Sequence, residues 1–338
     1  MNQALHLLLK ALSDPDEHLD VTKSRLLMNL KAFDPLKPLY LTRDEIIEEN
    51  GHEIPYRIYF PHEDASISVD PEESYTSAKD REDRQKVYPV IYYIHGGGFS
   101  TESVESYNKI LWNLSKHTES IVVAIDYPLA PEHRFPRQID DCYALAKALY
   151  QNKTVLQVDQ DRLTIMGDSA GGNLTAALCQ MARDKGEFLP KRQILIYPCV
   201  NNDYSENSPY PSVMENGSDY LLTRLNMVDY LDFYQSSDAD RANPYFSPLQ
   251  AKDYSGLPRA LVITGEFDPL RDEGEEYVKR MREAGVEVEH HRIKDAIHGF
   301  FLLTPLYPAV RETYEYINEF LREVDTIVSD EEDEMANT

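Results

Sequence analysis

The feature that most constrains this chain is Gly167-Asp168-Ser169-Ala170-Gly171, set between a β-prone run at Leu163–Met166 and a helix-forming run at Leu174–Ala182. A G-x-S-x-G element between a strand and a helix is the layout of a nucleophile elbow. A side chain at either glycine would collide with its neighbour where strand folds into helix. The turn pushes the Ser169 hydroxyl out at the end of a sheet, above a helix N-terminus. A Gly-rich strand-to-helix turn can also be tight packing alone, so the rest of the chain has to decide between the two.

The surrounding sequence supplies the sheet. From Val87 onward, apolar runs at Val90–Ile94, Ile121–Ile125, Leu163–Met166, Gln193–Tyr197, Ala260–Thr264 and Val286–His291 alternate with helical patterns. Those helices are expected at Ser106–Lys116, Gln138–Tyr150, Leu174–Ala182, Glu273–Glu283 and Ala309–Glu323. Nearly continuous apolar strands separated by helices indicate a parallel sheet covered on both faces. Upstream, Ile46-Ile47, Asn50-Gly51 and Ile54–Phe60 read as a hairpin, since Asn-Gly takes the positive φ of a two-residue turn. The expectation is an α/β fold with a mixed, mostly parallel sheet of about eight strands.

Three segments fall outside that alternation. Leu5–Leu12 and Val21–Phe33 read as two short helices, the second with a stripe at Leu26, Leu27, Leu30 and Phe33. Residues 201–249 are rich in Asn, Ser, Pro and Tyr, with one clear helix at Arg224–Phe233. A long excursion emerging where strands end in the C-terminal direction is where a lid sits. Residues 61–86 are polar and read as a surface insertion. The expected division is therefore lid helices in 1–40, a core in 41–200 and 250–325 with the 61–86 insertion, a second lid segment in 201–249, and a frayed or solvated acidic tail in 326–338.

Composition limits the partners. With 338 residues and a formal net charge of -25, the chain can bury a full core and would be repelled by nucleic acid or an anionic membrane. Cys142, Cys179 and Cys199 match no zinc or redox spacing and are expected as buried thiols. The first residues carry no basic n-region, and no apolar run reaches the length of a membrane span, so a cytoplasmic protein is expected.

A nucleophilic serine needs a base, a group that orients the base, and donors for an oxyanion. Asp268 lies in the loop leaving Ala260–Thr264, with Glu266 as a rival, while Asp272 falls inside the next helix. His298, followed by Gly299, leaves the last strand and alone among the histidines combines strand end, chain order and glycine neighbour. His290 and His291 are adjacent in a strand, point to opposite faces and cannot share a metal. His95-Gly96-Gly97-Gly98 follows Val90–Ile94, and consecutive glycines there leave N–H groups bare; Ala170 N–H is a further donor. This run lacks the lysine and the spacing of a phosphate loop.

Together, His95–Gly98, Gly167–Asn173, Asp268–Gly274 and His298-Gly299-Phe300 resemble the hormone-sensitive-lipase-like carboxylesterases, with support from Asp126–Pro136 and Asn243–Leu249. The resemblance runs from about Val87 to Glu323. It implies an α/β-hydrolase fold with a helical lid, Ser169, Asp268 and His298 as triad, and Gly97, Gly98 and Ala170 as oxyanion donors. It further implies short-chain or aryl esters as substrates, no metal or organic cofactor, and a homodimer pairing through the last strand. Pro128 departs from the family, which often has arginine there. Lid residues Phe33, Tyr204, Tyr210 and Met214 are expected to line the substrate pocket, unless they only pack the lid. Two alternatives stay open at this point: an amide-cleaving hydrolase of arylformamidase or deacetylase type, and a non-catalytic small-molecule receptor on the same fold.

Overall fold

The computed structural model describes residues 1, 3–31, 33–49, 51–67 and 88–336. The expected hairpin is present: β1 (Thr42–Glu49) pairs antiparallel with β2 (His52–Tyr59), and Gly51 turns at φ 80°. Asn50 lies outside the described residues, as does most of the expected 61–86 insertion. Of that insertion, Glu63–Ile67 forms a short helix, α3.

Next come β3 (Val90–Ile94), α4 (Asn108–Thr118), β4 (Ile121–Ile125), α5 (Arg137–Tyr150), β5 (Leu163–Asp168), α6 (Ala170–Lys185) and β6 (Arg192–Ile196). After the 201–249 segment, β7 (Arg259–Phe267), α9 (Arg271–Glu283), β8 (Val288–Ile297) and α10 (Pro308–Ala336) follow; that segment itself holds α7 (Pro211–Asn216) and α8 (Arg224–Tyr234). The eight strands lie in the order β1-β2-β4-β3-β5-β6-β7-β8, with every pair from β4 to β8 parallel and the hairpin joining antiparallel.

Alternation within the central strands feeds two cores at once. Val90, Tyr92 and Ile94 of β3 pack with Ile139 and Leu145 of α5 and Leu174 and Leu178 of α6. Ile91 and Tyr93 pack on the other face with Leu111 and Leu114 of α4 and Val310 and Ile317 of α10. A strand buried on both faces has no polar alternation to show, and this is why β3 and β4 read as continuous apolar runs. The three cysteines are buried and unpaired. Among the described residues no helix is long and apolar enough to cross a membrane.

The N-terminal segment holds α1 (Gln3–Leu12) and α2 (Val21–Lys31), and it meets the 201–249 segment over polar contacts. Leu19 N and His18 Nδ1 both reach Asp229 at 2.7 Å, Lys10 Nζ donates to Asp219 at 2.9 Å, and Leu221 N donates to Ser13 Oγ at 2.9 Å.

Two expectations are corrected here. Of the stripe expected on the second helix, Leu26, Leu27 and Phe33 are exposed and face no core, while the Leu30 side chain lies outside the described residues; α2 is held through Arg25 and Met28 instead. The tail at 326–338, expected to be frayed or solvated, continues α10 as helix to Ala336, consistent with the high helix propensity of its Glu, Met and Ala residues.

Candidate active site

β5 is flanked by β3 and β6 in the middle of the sheet, so whatever follows it emerges at the centre of the C-terminal edge. Ser169 follows it, at φ 53° and ψ -119°, a conformation a non-glycine residue holds only under tertiary constraint. The constraint is close packing. A Cβ on Gly171 would sit 2.0 Å from the Ile94 carbonyl oxygen, and one on Gly167 would sit 2.3 Å from the Gly171 carbonyl oxygen. Both glycines are therefore required for α6 to turn straight back onto β3 and β5.

His298 is the first residue after β8, and Asp268 the first after β7, so both side chains arrive at the same edge. His298 Nε2 lies 2.9 Å from Ser169 Oγ, and its Nδ1 lies 2.8 Å from Asp268 Oδ2. With Nδ1–H donating to the carboxylate, Nε2 carries the lone pair that the serine hydroxyl meets. Asp268 is fully buried, and its Oδ1 accepts the Leu270 N–H at 2.8 Å. The rival Glu266 accepts from Asp295 N at 2.8 Å, and Asp272 accepts from Ser212 N at 2.7 Å. Neither is hydrogen-bonded to His298.

The glycine run after β3 faces the serine. Gly97 and Gly98 have φ of 99° and 58°, and the N–H groups of Gly97, Gly98 and Ala170 have no backbone partner among the described residues. Three bare donors beside the Ser169 hydroxyl are an arrangement able to receive a developing oxyanion. His95 is an anchor of this loop: its Nδ1 meets Gly96 O at 2.8 Å, and its ring stacks on Tyr127 at 4.2 Å. Residues after β4 support the floor, with Asp126 Oδ1 accepting from Val104 N at 3.0 Å and Ala130 N donating to Phe99 O at 2.9 Å.

Above these groups lies a cavity of about 140 Å³, walled by Phe99, Tyr197, Cys199, Leu222, Met227 and Tyr230, with Met28 and Leu302 closing it. None of the four expected pocket residues lines it. Phe33 is 83% exposed and Met214 52% exposed, both on the outer surface. Tyr210 packs between two core clusters. Tyr204 is buried behind the wall, its hydroxyl donating to Glu273 Oε1 at 2.8 Å. The residues that do line it, Met227 and Tyr230, stand three apart on α8 and share one helix face. That spacing was readable; which face turns inward was not.

Two buried carboxyls flank the site without belonging to the His298 pair. Glu273 Oε1 accepts from Val200 N at 2.7 Å and Asn201 N at 3.1 Å, and burial raises its pKa to about 8. Burial likewise raises Asp168 to about 6, opposed by hydrogen bonds from Tyr93 and Tyr107. Among the described residues no cluster of His, Cys, Asp and Glu could hold a metal ion.

Comparison with known proteins adds to this geometry. Residues 91–302 match a family described as alpha/beta hydrolase fold. The chain is 34% identical over 267 residues to an arylesterase of Saccharolobus solfataricus, covering 79% of each chain. It is 31% identical over 275 residues to an ethyl acetate hydrolase of Pseudomonas putida, covering 81% of this chain and 80% of that one. Among solved structures, the esterase of Pyrobaculum calidifontis superposes with a TM-score of 0.77 at 34% identity, covering 97% of this chain and 99% of that one.

Proposed function

The chain belongs to the α/β-hydrolase-fold family, in its hormone-sensitive-lipase-like carboxylesterase branch, and on that premise we propose that it cleaves short-chain or aryl carboxylic esters through an acyl-enzyme on Ser169. It is a carboxylic ester hydrolase. The observation that carries the reading is the relay Ser169 Oγ, His298 and Asp268, with spacings of 2.9 and 2.8 Å.

His298 takes the serine proton as Oγ attacks the ester carbonyl, and returns it to the leaving alcohol. Asp268 holds the imidazole tautomer and stabilises the imidazolium formed during attack. The tetrahedral oxyanion is met by the N–H groups of Gly97, Gly98 and Ala170. Water then enters by the same path, with His298 as base, and releases the acid.

The size of the acyl partner follows from the cavity. About 140 Å³ is well below the ~300–1,000 Å³ typical of sites for drug-sized ligands, and its walls are largely apolar or aromatic. This supports acyl groups of a few carbons, or an aryl group stacked on Tyr197 and Tyr230. The N-terminal helices and the 201–249 segment are read as one lid, since Met28 comes from the first and Leu222, Met227 and Tyr230 from the second. Three buried thiols support a reducing, cytoplasmic setting. A homodimer paired along β8, the outermost strand of the parallel part of the sheet, is the assembly proposed.

A p-nitrophenyl ester series from acetate to laurate tests the substrate class. kcat/KM is expected to peak at or below the hexanoate and to fall steeply beyond it; a maximum at laurate refutes the reading. The matched anilides should be cleaved far more slowly.

A further inference from the structure

Asp168 immediately precedes the nucleophile, yet the relay above gives it no proton to carry. It is 1% exposed and sits where three tyrosines and the oxyanion loop converge. Its Oδ1 accepts from Tyr93 OH at 2.8 Å and from Gly96 N at 3.1 Å. Its Oδ2 accepts from Tyr107 OH at 3.0 Å and, at 3.4 Å, from Tyr197 OH. We infer that Asp168 is a positioning residue whose carboxylate pins the Gly96–Gly98 loop, so that the loop's N–H groups stand ready for the oxyanion on Ser169. This rests on the reading of Ser169 as nucleophile.

The loop has little slack at this point. A Cβ on Gly96 would lie 2.8 Å from Asp168 Oδ2 and 3.0 Å from Tyr107 OH. Tyr107 OH is also 3.2 Å from Gly96 N, so phenol, carboxylate and amide form one closed set. Gly97 and Gly98 follow directly, and any movement of Gly96 moves their N–H vectors with it. An error of about 1 Å in such donors is enough to cost orders of magnitude in rate.

The arrangement suits the ionised carboxylate only. Every group that faces Asp168 within hydrogen-bond distance is a donor: Tyr93 from β3, Gly96 from the loop after it, Tyr107 ahead of α4, and Tyr197 after β6. A protonated carboxyl must itself donate, and to do so it has to turn one phenol around or release Gly96. The other titratable groups nearby are His298, whose ring lies 4.7 Å from that of Tyr197, Glu102, whose charge acts on Tyr107, and Asp268, whose charge acts on Tyr197. His95 is buried and held toward its neutral form, and it stacks on Tyr127 and tilts against Tyr107. Burial lifts Asp168 to about 6, while Tyr93, Tyr107, His298 and Gly96 pull it down. Loss of the carboxylate on acidification therefore contributes to the acid side of the rate profile.

The test compares wild type, Asp168→Asn, Tyr107→Phe and the double variant on p-nitrophenyl butyrate across pH. Asp168→Asn keeps the shape and removes the charge, so kcat is expected to fall roughly ten- to a hundredfold with KM little changed, as for a lost interaction made mainly in the transition state. Tyr107→Phe removes a donor that lowers the Asp168 pKa, so its acid limb should move to higher pH by about half a unit or more. In the Asp168→Asn background the same change should leave the limb where it is. Asp168→Asn should still take one fluorophosphonate per chain, more slowly. A wild-type kcat in Asp168→Asn, or an acid limb unmoved by Tyr107→Phe, overturns the inference. If Asp168→Asn fails to fold, the Tyr107→Phe and Tyr93→Phe limbs decide the matter alone. A wild-type chain that takes no label fails the Ser169 reading itself, a separate and visible result.

Discussion

Arg25 on α2 donates from Nε to the Ser100 carbonyl oxygen at 2.7 Å, tying an N-terminal helix to the chain two residues beyond Gly98. The same guanidinium reaches the Ala130 carbonyl at 2.7 Å and both Glu132 oxygens at 2.8 Å, and this hydrogen bonding holds the Glu132 carboxyl near 2. Met28, nearly one turn further along α2, closes the cavity over Ser169. One side chain thus fixes the height of the cavity roof.

Arg25→Ala should loosen that roof without touching the relay. KM for p-nitrophenyl butyrate is expected to rise severalfold, and the octanoate-to-butyrate ratio of kcat/KM should rise with it, while kcat on butyrate changes little. Steady-state kinetics on the two esters measure this. An unchanged ratio contradicts the assignment of α2 to the lid.

Gly98→Ala should cost about 10²–10³ in kcat, the range for loss of an oxyanion donor. The added Cβ would lie 2.1 Å from a ring carbon of Tyr230, at φ 58°, so either the loop or α8 must move. Pairing it with Tyr230→Ala separates the causes. Partial recovery assigns the loss to the clash, and no recovery assigns it to the backbone conformation.

Asp268→Asn leaves a group of the same shape but favours the wrong imidazole tautomer. Turnover should fall roughly 10⁴-fold at neutral pH with the melting temperature close to wild type. A loss below tenfold would move the orienting role away from Asp268.

Glu273 gives a prediction on stability. Its carboxyl titrates near 8 in the folded chain against an ordinary value of 4.5, so the folded state favours the protonated form. Its contribution is fully present below about pH 4.5 and is lost as pH rises toward 8, reaching at most about 5 kcal/mol. Glu273→Gln should therefore gain stability relative to wild type between pH 5 and 8, read as a growing difference in melting temperature. A difference that stays constant across that range rules out the titration of this group.

The elements that sequence reveals well are those whose signal is local. β3 and β4 are apolar throughout because both faces are covered, and Ser169, Asp268 and His298 each stand at a strand end in the expected order. The glycines at 167 and 171 are needed by contacts within one strand–turn–helix unit and its immediate neighbour. The pocket is different in kind. Phe33 and Met214 are as apolar as Met28 and Met227, but which of them faces inward depends on Arg25 reaching Ser100 and on Asp229 meeting Leu19. Those contacts join residues 75 and 210 positions apart, beyond any local pattern. Tyr204 shows the converse: an aromatic ring suited to a pocket is turned away by the buried Glu273 carboxyl, which periodicity does not reveal.

The most direct test of the central claim is labelling with a fluorophosphonate followed by mass spectrometry of the intact chain and its peptides. One adduct per chain is expected, located on Ser169, absent in Ser169→Ala and formed far more slowly in His298→Ala. Ester turnover in Ser169→Ala should fall by about 10⁴–10⁶ in parallel. An adduct on another residue, or wild-type turnover without Ser169, would contradict the account.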